Sequence, residues 1–256
     1  MTKHARGFLA LSLLTAAVFL GGPGAATSTG QGRALPFPVA ELFFELNDSA
    51  GDLGIHDDID GGPWTTLEVD DPRGRNLLTI VSQSRLRDQA LTQLAFESAE
   101  PSFDELDPAD FFRRFPEGRY NIEAQLQGGG TLESTVRISH VLAARPGNIT
   151  VDGRTPADCE ADPSSMPLVP SGLVRFDWDA VTSSHPTLGK AGRVEISRYQ
   201  FFLELPGGTL SQDLPPTVTE FDAVVPSGAG RVLKFEIIAR TASGNNTAVE
   251  SCFVVQ

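Results

Sequence analysis

Residues 118–141 read GRYNIEAQLQGGGTLESTVRISHV, and their alternation decides the fold class. Tyr120, Ile122, Ala124 and Leu126 fall on one face of an extended chain; Arg119, Asn121, Glu123 and Gln125 fall on the other. Beyond Gly128, Gly129 and Gly130 the pattern resumes, with Leu132, Val136 and Ile138 on the apolar face. Side chains of a strand alternate at period two, so two such runs around a glycine turn specify a β-hairpin with one buried face.

Working upstream, AELFFELN alternates Leu42, Phe44 and Leu46 with Glu41, Phe43 and Glu45. WTTLEVDDPRGRNLLTIVS reads as two more strands joined by a turn at Asp71-Pro72-Arg73-Gly74. One short helix is expected in this half. Asp107 supplies its N-cap, Pro108 its first position and Asp110 an acid in the first turn, and Pro116 with Gly118 stops it. Phe111, Phe112 and Phe115 give it an apolar stripe, which predicts a plug on a sandwich rather than a binding surface.

Downstream, the stretch from about 142 to 171 turns rich in proline, aspartate and small residues, and 146–163 reads as a linker. VRFDWDAV, RVEISRYQFFLEL and RVLKFEIIARTASG then alternate again. Val174, Phe176 and Trp178 share a face, as do Tyr199, Phe201 and Leu203, and Leu233, Phe235, Ile237 and Ala239. The expectation is an all-β chain of two β-sandwich domains, an Ig-like one over 36–145 and a second over 164–256.

The N-terminus has a different character. Lys3 and Arg6 precede the apolar run FLALSLLTAAVFL, followed by Gly21, Gly22, Pro23, Gly24, Ala25 and Ala26. A basic start, an apolar run and small residues make 1–26 a cleavable signal peptide, cut after Ala26, which places the protein in the periplasm or outside the cell. Removing Lys3 and Arg6 with no acid takes the net charge from −13 to −15. That balance argues against nucleic acid or an anionic membrane surface as partner, since both need a basic face. No later segment is long and apolar enough to span a bilayer. The chain has two cysteines, Cys159 and Cys252, and in an oxidising compartment an even count points to one disulfide. Triplets of the N-x-S/T kind begin at Asn47, Asn148 and Asn245.

The second domain resembles a fibronectin type III module. Trp178 in VRFDWDAV matches the module's early-strand tryptophan, Tyr199 in RYQFFLEL its mid-domain tyrosine, and LKFEIIARTASGNNT its penultimate strand. Leu233 stands where that family has a corner tyrosine, and a disulfide tying the lead-in segment to the last strand is a second departure. The whole chain resembles exported bacterial proteins pairing an uncharacterised all-β domain with such a module. This resemblance implies architecture, with protein or glycan as the usual partners of such modules, and no particular activity.

Chemistry is harder to find. The chain lacks the H-E-x-x-H, G-x-S-x-G, P-loop and dinucleotide patterns, so the reading is non-enzymatic. Of the histidines after residue 26, His140 continues a buried face, His185 precedes a proline in a turn, and His56 lies in FELNDSAGDLGIHDDIDGGPW. That acidic stretch has two readings, a solvated inter-strand loop or a calcium site using Asp52, Asp57, Asp58 and Asp60, with Asn47 and Asp48 nearby. Laid on an EF-hand, His56 takes the first position and Leu67 the twelfth, so the bidentate acid is missing. The readings left standing are a binding or scaffold protein and a calcium-dependent adhesion or carbohydrate-binding module on the 47–60 loop. A hydrolase using carboxylates of that loop is the weakest of the three.

Overall fold

The computed structural model describes residues 33–256, so the signal segment lies outside the described residues. The first half contains β1 (Val39–Asn47), β2 (Asp52–Asp70), β3 (Asn76–Val81), β4 (Leu91–Glu97), β5 (Gly118–Leu126) and β6 (Thr131–Ile138). The alternation around 118–141 produces the β5–β6 hairpin, with Tyr120, Ile122, Ala124, Leu132 and Ile138 buried.

The unexpected element is β2, a 19-residue strand running straight through the stretch read as a loop. Only residues 48–51 turn; Asp52 already pairs with Asn47. The first part of β2 lies between β1 and β4, while its last part lies between β3 and β5. It therefore passes from one layer of the sandwich to the other, with register shifts around Trp64. The corner falls at Gly61-Gly62-Pro63. A Cβ on Gly61 would stand 2.7 Å from a Leu132 methyl and 3.0 Å from the Phe37 ring, so the layers close there only over a bare backbone. The core between them holds Phe44, Leu46, Ile59, Trp64, Leu67, Tyr120 and Ile122, all fully buried.

Two helices accompany this half, where one was expected. α2 (Pro108–Arg114) follows its sequence signals: Asp107 caps it by accepting from the Ala109 amide at 2.7 Å, and Phe111 packs edge-on against Phe44. α1 (Ser84–Gln89) buries no residue and has no side-chain cap, so no apolar period announces it. Tyr120, at the start of β5, donates its hydroxyl to the Pro116 carbonyl at 2.9 Å. That is the corner hydrogen bond of immunoglobulin-like sandwiches, present here in the first sandwich.

The second half contains β7 (Thr150–Val151), β8 (Leu168–Val169), β9 (Gly172–Asp177), β10 (Ile196–Leu205), β11 (Gly208–Leu214), β12 (Glu220–Val225), β13 (Val232–Thr241) and β14 (Asn246–Val255). One layer runs β11-β10-β13-β14 and the other β12-β9-β7, a four-plus-three sandwich of the fibronectin type III kind. Its core gathers Phe176, Trp178, Tyr199, Phe201, Phe235 and Phe253. Leu233 is buried at the corner, held by packing, and Tyr199 instead accepts the Val181 amide on its hydroxyl at 2.8 Å.

The stretch 146–163 is built into this sandwich. Val151 pairs with Phe176 and is fully buried, and Cys159 is bonded to Cys252 on β14. Met166, Val254 and the disulfide form a small apolar cluster where this segment pairs along the edge of β14 through Ala157 and Cys252.

Candidate functional site

The end of β1 and the start of β14 pair in parallel, matching Glu45 with Asn246, Leu46 with Thr247 and Asn47 with Ala248. One sheet therefore continues from β11 through β14 into β1, β2, β5 and β6. Polar side chains close the joint. Asn245, 1% exposed, accepts the Phe44 amide at 3.0 Å and donates to the Ser139 and Val141 carbonyls at 2.8 and 3.2 Å. Thr247 donates to the Ala143 carbonyl at 3.0 Å. Arg240 donates to Glu41 at 2.5 Å and lies 4.4 Å from the centre of the Phe43 ring. Asp48 accepts from Arg145 at 2.8 Å and from His185 at 2.9 Å. The Nδ1 of His185 accepts the Leu188 amide at 2.9 Å, so its Nε2 carries the proton given to Asp48. Buried polar groups are stabilising only when paired, and these are paired across the joint.

Beside this joint the continuous sheet presents an acidic outer face. Glu45 on β1, Asp52 on β2, and Glu236 and Glu250, cross-strand partners on β13 and β14, share it. Burial, with the charges of Glu45 and Glu250, pushes the Glu236 carboxyl up to about 7, against the opposing pull of Lys234. Burial, then Glu100 and Glu250, pushes Asp52 up to about 6. Lys234 is held above its usual range: burial disfavours its charge, and Glu204 and Glu250 outweigh that.

The four aspartates singled out in the sequence do not converge. Asp57 points to the core face, 5% exposed, with the Phe96 amide donating to its Oδ1 at 2.8 Å, and burial raises it to about 7. Asp52, Asp58 and Asp60 have the opposite parity, and Asp58 accepts from Gln93 at 3.3 Å. At ~3.3 Å per residue, Asp52 and Asp58 are roughly 20 Å apart along the strand. Asn47 and Asp48 are engaged in the turn and the joint.

What β2 does gather is a different set. His56 pairs across the ladder with Glu97 of β4, and Glu100 reaches back so that its Oε1 lies 2.8 Å from His56 Nε2. One donor atom from each of His56, Glu97 and Glu100 lies within 4.8 Å of the others. Gly54 makes this reach open: a Cβ there would sit 2.1 Å from Glu100 Oε1. The imidazole stacks on Phe43, ring centres 5.5 Å apart. Nothing local marks Glu97 and Glu100, which lie some forty positions from His56: strand register brings Glu97 to it, and Glu100 follows in the segment after β4. The joint residues had a local signal: Asn245 and Thr247 are polar residues at the head of an otherwise apolar strand.

Fold and site together define an all-β protein of two immunoglobulin- and fibronectin type III-like sandwiches sharing one sheet. The chain matches no protein-family model and no curated protein. Among solved structures it is similar to domains of titin, at 14% identity and a TM-score of 0.27 over 85% of this chain and 68% of that one. It is also similar to a bacterial ice-binding adhesin, at 13% identity and a TM-score of 0.25 over 85% and 64%. A tandem-repeat structure from the extending region of a large adhesion protein gives 10% identity and a TM-score of 0.22 over 85% and 50%.

Proposed function

We propose that this is an exported, non-enzymatic binding or scaffold protein whose two sandwiches act as one rigid body. The observation that carries the reading is the β1–β14 ladder, which joins the sandwiches by main-chain hydrogen bonds. Flexible tandem domains are separated by exposed linkers that few contacts cross, whereas here Asn245, Thr247 and Arg240 are buried at the crossing. Export is supported by the signal-like segment 1–26 and by the Cys159–Cys252 bond, which suits an oxidising compartment. The histidines support binding rather than turnover: His140 donates to the Phe115 carbonyl at 2.8 Å, and His185 is spent in the joint. The partner is a protein or glycan meeting the exposed loops or the outer sheet face.

Calorimetric unfolding of the secreted protein tests the rigid-body reading. One cooperative transition is expected, with calorimetric and van't Hoff enthalpies equal. Two resolved transitions would show that the sandwiches unfold independently and overturn it.

A further inference from the structure

We propose that His56, Glu97 and Glu100 form a binding site for a first-row divalent metal ion of the zinc class on the outer face of the shared sheet. The site is separate from the four-aspartate arrangement considered in the sequence, and it stands independently of the scaffold reading.

An imidazole and two carboxylates, from a central strand, its neighbour and the segment that follows, place one nitrogen and two oxygens within 4.8 Å of one another. Zinc binds histidine nitrogen at about 2.0–2.1 Å and carboxylate oxygen at about 2.0–2.2 Å, so ligands in its shell stand roughly 3–3.5 Å apart. His56 Nε2 and Glu100 Oε1 are already 2.8 Å apart, and Glu97, exposed at the end of β4, holds a carboxylate oxygen within 4.8 Å of the other donor atoms. Calcium prefers six to eight oxygens, whereas an imidazole is a favoured ligand of zinc and its neighbours in the first row.

The surroundings supply preorganisation. His56 is fixed by the β1–β2–β4 ladder and by its stack on Phe43, and Arg240, itself paired with Glu41 of β1, covers that ring from the second sandwich. Glu100 crosses the bare backbone of Gly54, where a Cβ would stand 2.1 Å from its Oε1 and push the carboxylate aside. Nearby Asp52 keeps a buried Oδ1 with no hydrogen-bond partner. The field of Glu45, Asp52 and Glu250 favours a cation here. The three ligands leave at least one coordination position open to water or to a group from a partner. The ion would take the Nε2 lone pair of the neutral imidazole in the tautomer that keeps its proton on Nδ1.

Calorimetric titration of the chelator-stripped protein with zinc chloride, alongside cobalt(II) absorption spectra, tests the site. One tight equivalent of zinc is expected, with visible cobalt bands of a low-coordinate nitrogen–oxygen site, and calcium should not displace it. His56→Gln should weaken binding by about 100-fold or more, beyond the range typical of outer-shell changes. Glu97→Gln should also weaken it, and because Glu97 is exposed the metal-free melting temperature should stay put, which separates lost ligation from lost folding. No tight equivalent in the parent protein, a tight equivalent that survives both substitutions, or displacement by an equal amount of calcium would each overturn the proposal.

Discussion

Glu45 and Asn246 are neighbours on parallel strands of two different sandwiches, and the Asn246 amide donates to the Glu45 carboxylate at 2.7 Å. Parallel pairing needs a long connection between its strands, and here that connection is most of the chain. Its three residue pairs are few, so their persistence depends on the side chains that seal the joint against water.

Asn245 is the most exacting of these. Asn245→Ala would strand the Phe44 amide and the Ser139 and Val141 carbonyls in a buried place, each unmade partner costing about 1–3 kcal/mol. Partial solvation reduces the sum, and a loss of roughly 3 kcal/mol is expected in urea unfolding. The single transition should also divide in two. A variant within about 0.5 kcal/mol of the parent would show that the joint is not sealed through this residue.

Stability should fall with rising pH through the titration of Glu236. Its ordinary value is 4.5 and burial among Glu45 and Glu250 lifts it to about 7, so the folded state holds a proton that the unfolded chain has released. Below about pH 4 both states are protonated and the group contributes nothing; between about 4.5 and 7 stability declines, and above that the loss is constant. Glu236→Gln should therefore gain roughly 1–3 kcal/mol at pH 8 and nothing at pH 4. Melting curves at the two pH values decide this, and an equal gain at both would remove titration as the cause.

The Cys159–Cys252 bond spans a sequence separation of 93 residues. Closing so long a loop restricts the unfolded chain by about 4–5 kcal/mol in the chain-entropy description. Replacing both cysteines with alanine should lower the urea midpoint to where a reductant places the parent protein. A reductant should then do nothing further to the variant.

Strands with clean alternation could be read directly from sequence, as the β5–β6 hairpin and the matching β10 and β13 faces show. β2 defeated that reading because its glycines mimic turns. Gly54 and Gly61 are bare for contacts made from far away, with Glu100 over one and Leu132 and Phe37 over the other. α1 left no trace because a helix that buries nothing needs no apolar period. Tyr120 was legible in principle: a tyrosine just after Pro116 and Gly118, opening a strand, fits the corner geometry of such sandwiches. The candidate metal donors could not be read at all, since only pairing register brings His56 to Glu97.

The direction of the joint's ladder has a mechanical meaning. β1 and β14 point the same way and overlap only where the first ends and the second begins. Tension between Val39 and Val255 would pull the overlapping ends past each other lengthwise, loading all three residue pairs at once. A hairpin pulled from its open end breaks bond after bond. In this geometry the bonds share the load, and the junction resists stretching better than its short length would suggest.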